Sequence, residues 1–255
     1  MNFKLTLQYD GTNFHGWQMQ GQLRTVQGEL TRALSLIDGR ELVVHGSGRT
    51  DAGVHAEGQV ASLHLQRDIT PDRLRKAING NVGPDVRVIQ AEIVPDDFHA
   101  RYSARGKTYV YRILNAQVLS PFWFRFAHQE ARPLDLERMR QGAAFFLGQH
   151  DWTAFSAAQS DVETRVRTLT KLEVTERWDG RAGGRVIELT ISADGFLRYM
   201  VRSIAGTLMA VGRGEMNDSD VRRAIETGER SLVGATAPAA GLTLLSVDYP
   251  PAKQA

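Results

Sequence analysis

Apolar and polar residues alternate from the first positions of this chain: Phe3, Leu5, Leu7 and Tyr9 are separated by Lys4, Thr6 and Gln8. That is the two-residue period of a strand with one buried face. A long loop, DGTNFHGWQMQGQLR, follows, and the period then becomes helical. Thr25 supplies a cap, Val26, Leu30, Ala33, Leu34 and Ile37 share one face, and Gly39 ends the helix. A short strand is predicted over Glu41 to His45 and another over Val60 to Leu65. Thr70-Pro71 opens a second helix with Leu74, Ala77 and Ile78 inward, and Val86 to Val94 closes the half as a strand. The order β-α-β-β-α-β is the ferredoxin-like split motif, in which two crossover helices cover one face of an antiparallel sheet.

The second half repeats the order with longer insertions. A strand over Lys107 to Leu114 precedes a helix that Asp135 caps, that carries Leu136, Met139, Ala143, Phe146 and Leu147, and that Gly148 stops. Arg165 to Glu176 and Val186 to Ala193 form a hairpin around DGRAGG. Helices follow over Leu197 to Val211 and Ser219 to Thr227, and a last strand over Leu242 to Tyr249. The fold class is therefore α+β with two pseudo-equivalent halves. Residues 1–100 form an N-terminal ferredoxin-like domain and residues 101–255 a C-terminal one, joined near residues 95 to 106. A cleft between them is the default site.

Composition narrows the chemistry. With 255 residues, 42% hydrophobic and 24% charged, the chain can bury a real core and is not disordered. Cys is absent, which removes disulfides, thiolate metal sites and a cysteine nucleophile. The seven histidines are dispersed, with no His-x-x-x-His or His-Glu-x-x-His spacing, so no metal site is expected. No apolar run of about 18 residues occurs, and the chain opens on a strand where a leader would place a basic stretch and an apolar segment; a cytoplasmic protein away from membranes is expected. The net charge is +2, unevenly shared: −2 over residues 1–100 and +4 over residues 101–255. Arg supplies 26 of the 31 basic residues, and its planar fork suits phosphates and base faces, although a GC-rich genome produces the same bias.

Three segments could carry chemistry. GSGRTDAGVHA joins the second and third strands of the first half, and its glycines let the backbone turn sharply and another molecule approach. It presents Arg49, Thr50 and Asp51 in succession, a carboxylate beside a guanidinium on a loop held by a sheet. The bland reading is a solvated turn. HARYSARGKTYVYRI interleaves Arg101, Arg105, Lys107 and Arg112 with Tyr102, Tyr109 and Tyr111 and holds no acid, which suits phosphates with base stacking; the alternative is a Tyr pair in the core. FLRYMVRSIAGTLMAVG makes a wide apolar helix face in which Arg202 is embedded. A half-buried Arg there needs a carboxylate partner, unless it snorkels to solvent.

These segments together resemble the tRNA pseudouridine synthases of the TruA type. The likeness is carried by GRTDAGVHA, YDGTNFHGWQMQ, TVQGEL, VPDDFHARYSARGKTYVYRI, HDWTAFSA, GFLRYMVRSIAGTLM and GATAPAAGLTLLSVDYP in order, over nearly the whole chain. The resemblance implies two ferredoxin-like domains sharing a sheet, a homodimer, no cofactor, and isomerisation of uridine in the tRNA anticodon stem-loop, at nucleotides 38 to 40. It implies that Asp51 is the catalytic carboxylate, that Arg202 pairs with it, that Tyr109 stacks on the target base and that Arg49 helps displace that base. The rival class is a non-catalytic RNA-binding protein of ferredoxin-like fold, which leaves the Asp51 loop unexplained. A metal-dependent hydrolase using Asp51 and His55 is a third.

Overall fold

A computed structural model describes residues 1–158 and 162–251. The chain divides into two compact units, Met1–Arg105 with the segment from Leu244 on, and Gly106–Thr243. The first unit opens with β1 (Asn2–Tyr9), α1 (Val26–Asp38), β2 (His45–Gly46), β3 (His55–His64), α2 (Pro71–Asn81) and β4 (Val86–Val94). β1 is central, antiparallel to β4 on one side and β3 on the other. Its alternating pattern places Phe3, Leu5 and Leu7 fully inside. On the other face Lys4 meets its register partner Glu92 at 3.2 Å. α1 starts as expected, with the Thr25 hydroxyl accepting the Gly28 N–H at 3.2 Å, and ends at Gly39 in the left-handed region. Each leucine that α1 and α2 bury adds up to about 1.5–3 kcal/mol, and Leu30, Leu34 and Leu74 are wholly buried.

Two strands of this unit depart from the sequence pattern. The Glu41 to His45 segment pairs only at its end, His45 with Ser62 and Gly46 with Ala61. The Gln27 side-chain amide occupies the Val44 carbonyl instead of a ladder partner, and Leu42 and Val44 are buried outside any strand. Conversely β3 begins at His55, well ahead of Val60. Its first residues include buried His55 and Gln59, polar side chains that hide the strand from a hydrophobic reading.

The second unit comprises β5 (Gly106–Asn115), β6 (His128–Gln129), α3 (Leu136–Ala144), β7 (Gly148–Asp151), β8 (Val166–Asp179), β9 (Gly184–Ala193), α4 (Met200–Gly212) and α5 (Asp218–Thr227). Its strand order is β5-β9-β8-β7, antiparallel throughout, with β6 parallel to β5. The β8–β9 hairpin runs to Asp179 and Gly184, longer than predicted. α3 stops at Ala144 rather than Leu147: the next N–H groups bond three residues back, tightening the last turn. Gly148, at φ 97°, opens β7 instead of closing the helix. α4 begins at Met200 rather than Leu197 because Tyr199 takes a left-handed conformation, φ 68°. It is the one non-glycine residue with positive φ among those described.

β10 (Leu242–Asp248) comes last in the chain, and from Leu244 it lies beside β3 in the first unit. Two bonds fix its end there: Arg105 N–H to the Asp248 carbonyl at 2.8 Å, and the Tyr249 hydroxyl to the Ala100 carbonyl at 2.6 Å.

Candidate active site

The Asp51 loop rests on a buried polar base. Ser47, Thr50 and Gln59 are buried, and Tyr9 projects to them from the end of β1. The Ser47 hydroxyl donates to Gln59 Oε1 at 2.7 Å, Gln59 Nε2 donates to the Gly48 carbonyl at 3.2 Å, and the Tyr9 and Thr50 hydroxyls share a hydrogen bond of 2.9 Å. Burial pushes the Tyr9 hydroxyl up to about 12, outweighing its hydrogen bonds with Thr50 and Gln59, so it stays neutral. Thr50 is buried in this base, its neighbour Arg49 is exposed and Asp51 is half-buried.

A second loop, between β1 and α1, braces the first. Trp17 N–H donates to the Thr50 carbonyl at 3.0 Å and Gly53 N–H to the Phe14 carbonyl at 3.3 Å. Gly16, at φ 87°, lies so close that a Cβ would press on the Thr50 carbonyl oxygen. The bracing loop is itself clamped: Arg24 donates to both carboxylate oxygens of Asp85 at 2.7 and 2.9 Å and to Glu29 at 3.1 Å. His55, 2% exposed, accepts the Gly11 N–H at Nδ1 over 3.0 Å, an anchor between this loop and β3. Among the described residues no three His, Asp or Glu side chains are grouped to hold a metal ion.

In the second unit both tyrosines of β5 are buried, Tyr109 at 7% exposure, and they differ in what they touch. Tyr111 is core: it is fully buried and its hydroxyl donates to the Pro238 carbonyl at 2.9 Å. Burial raises its pKa far above the usual phenol, against a smaller pull from the Arg202 charge. Tyr109 faces Ile191 across the ladder and meets Phe196 edge to face, centroids 5.0 Å apart.

Arg202 lies in the first turn of α4 and is half-buried. Its Nε donates to the Ala237 carbonyl at 2.7 Å, while Ala237 N–H donates to the Arg202 carbonyl at 3.0 Å. Its guanidinium stands 5.2 Å from the Tyr199 ring centroid, and Arg198 lies 4.8 Å from the same ring. The GATA segment that supplies Ala237 lies directly on the helix backbone. A Cβ on Gly206 would overlap the Ala235 carbonyl, and Gly234 N–H donates to the Thr207 hydroxyl at 3.1 Å. Arg230 closes the strap from outside, reaching Thr236 Oγ1 at 2.7 Å and Ser203 Oγ at 3.2 Å.

Each expected residue is thus held by its own unit: Arg49 and Asp51 together on the braced loop, Tyr109 on β5, Arg202 on α4. Reading the sequence missed the supports, namely Tyr9, Ser47 and Gln59 under the loop and the GATA strap over the helix. Tyr9 carried a weak signal, a hydroxyl on an inward-facing strand position.

Residues 6–103 and 143–250 match a family model described as tRNA pseudouridine synthase. The chain is 42% identical over 249 residues to the tRNA pseudouridine synthase A of Maricaulis maris, covering 97% of this chain and 98% of that protein. It is 42% identical over 248 residues to the protein of the same name from Acetivibrio thermocellus, covering 97% and 99%. A solved Cbf5-Nop10-Gar1 complex aligns over 94% of this chain and 57% of that one at 13% identity and a TM-score of 0.35, too faint to bear on either fold or function.

Proposed function

The chain belongs to the tRNA pseudouridine synthase family, and we propose that it isomerises uridines of the tRNA anticodon stem-loop with Asp51 as its catalytic carboxylate. The observation that carries this is the loop itself: a half-buried carboxylate on a loop with a buried hydrogen-bonded base and a second loop bracing it is preorganised for chemistry, which a solvated turn has no need of.

The reaction is an isomerisation. The bond from uracil N1 to the sugar breaks, the base turns, and a bond from C5 to the sugar forms; N1 gains a proton as C5 loses one. No electrons enter or leave, so a positioned carboxylate, acting as nucleophile or general base, supplies the needed chemistry. A stacked uridine must first leave its stack, at a cost of a few kcal/mol. In this reading Arg49 fills the place the base leaves, Tyr109 stacks on the extruded ring, and Arg202 sets the charge and orientation of Asp51. Support for the last role comes from the hydrogen bond of Arg202 Nε to the Ala237 carbonyl and from the Tyr199 ring, which restrict the guanidinium.

Self-association into a homodimer belongs to the same reading. Phe122, Phe124, Trp178 and Val118 of the second unit are each at least half exposed, large apolar side chains that a second copy would cover. The work is assigned to the cytoplasm with its tRNA; no helix among the described residues is long and apolar enough to cross a membrane. Tritium release from tRNA labelled at uracil C5 tests the core claim. Wild-type protein should release label, and Asp51→Asn and Asp51→Ala should release none while still binding tRNA; near-normal release by either variant removes Asp51 from the chemistry.

A further inference from the structure

Three rings in the first unit have no part in that scheme. His45 at the start of β2, His99 and Tyr102 lie against one another in series as tilted ring pairs, with centroids 4.6 and 4.4 Å apart and planes inclined by 44° and 35°. Ser62 brings the two segments together: it is the register partner of His45, and its buried hydroxyl accepts the Ala100 N–H at 3.0 Å. The turn bearing the outer rings is closed by its own bonds. His99 N–H donates to Ser103 Oγ at 3.1 Å, Ser103 N–H to the His99 carbonyl at 2.9 Å, and Arg101 N–H to His99 Nδ1 at 3.1 Å. Tyr249 ties Ala100 from the other side. At the end of the series Tyr102 is 78% exposed, with the Arg101 guanidinium 5.8 Å from its centroid.

A single exposed aromatic needs no explanation. A series of three rings on a hydrogen-bonded turn is different, because the cost of ordering the outermost ring has already been met and a planar ligand adds to it without rearrangement. Stacked aromatics beside a guanidinium are the chemistry that binds unpaired nucleotides, the ring taking a base and the cation its phosphate. Burial, then the neighbouring charges of His45 and Arg101, hold His99 below the usual imidazole range. Its ring is therefore neutral at pH 7. Asp96 and Asp97 are exposed a few residues upstream and oppose phosphate, so stacking has to carry most of the binding.

We propose that the His45–His99–Tyr102 ring series is a second nucleobase platform, on which an unpaired base of the RNA substrate, distinct from the one isomerised, lies against Tyr102 while Arg101 takes its flanking phosphate. The identity of that RNA rests on the tRNA reading above; the platform does not. The test measures the Kd of the full-length protein for an unmodified tRNA transcript, with turnover recorded separately. Tyr102→Ala should weaken Kd about tenfold or more and raise KM in step, moving kcat little. Tyr102→Phe, which keeps the ring, should stay within about twofold of wild type on the same stacking argument. Arg101→Ala should flatten the slope of log K against log salt by about one phosphate. Unchanged Kd in Tyr102→Ala overturns the platform, and so does equal loss in the Ala and Phe variants, since the hydroxyl would then be acting. If the wild type fails to turn tRNA over while the Ala/Phe difference in Kd persists, the synthase reading falls and the platform stands.

Discussion

Thr50 decides what its neighbours can do. Its hydroxyl, hydrogen-bonded to Tyr9 at 2.9 Å inside the unit, anchors the loop between exposed Arg49 and half-buried Asp51. The candidate pair was legible in the sequence because a carboxylate and a guanidinium in a glycine-rich loop are conspicuous. Their support was not, because Tyr9 lies 41 positions away and reads as an ordinary strand residue. Arg202 was legible as a cation among apolar neighbours, and the strap that grips it was not. If Arg202 keeps Asp51 ionised and oriented, Arg202→Met lowers kcat by at least about a hundredfold, by analogy with other buried charges that lose a partner. Arg202→Lys recovers only part, since a point charge replaces the planar fork. A Met variant with wild-type kcat makes Arg202 structural.

Helix α4 shows how an element can be strained at one end and gripped along its side. Its entry through Tyr199 in the left-handed region costs about 1–3 kcal/mol, and the ring so placed lies between Arg198 and Arg202. Periodicity put the helix start three residues early because Leu197 fits the apolar face; a left-handed residue leaves no mark on hydropathy. Gly206→Ala tests the grip. The added methyl overlaps the Ala235 carbonyl, so the strap must lift and loosen its bonds to Arg202. A loss of about 1–3 kcal/mol in denaturant unfolding is expected, with kcat falling as well. In an unconstrained helix the same change stabilises by roughly 1 kcal/mol, so the sign alone decides.

The clamp on the β1–α1 loop gives a pH prediction at the same scale. Hydrogen bonds from Arg24, against the opposing effect of burial, hold the Asp85 carboxyl below its ordinary value. A depressed carboxylate adds stability above the unfolded-state value, about pH 4, and loses it as pH falls through the folded value. The wild type should therefore lose more stability than Asp85→Asn between about pH 5 and pH 2, by less than about 1 kcal/mol because Arg24 is partly exposed. Equal losses would show that the clamp is electrostatically idle.

For the whole molecule the constraint is charge. A net +2 leaves few spare cations for a tRNA stem-loop, whereas pairing two second units across a two-fold axis pools their arginines without new sequence. Association should place the exposed Phe122, Phe124 and Trp178 region at the contact. Sedimentation at micromolar concentration should give a dimer, and tRNA affinity should fall steeply with salt, with a slope of several neutralised phosphates. A monomer with nearly flat salt dependence contradicts both. The two-part architecture was legible from the repeated order of strands and helices; the return of the last strand to the first unit was not, since hydrophobic pattern gives a strand's faces and not its neighbours.

That return sets a timetable for the nascent chain. The residues that border β3 from Leu244 on are translated after everything in the second unit, so the first unit cannot be finished while the ribosome is still making the second. Until then β3 keeps a length of open edge, the kind of template on which chains aggregate. The anchors at Asp248 and Tyr249 also hold the turn from Ala100 to Arg105, so a chain cut short before Leu244 carries the Asp51 loop complete and leaves that turn unlatched.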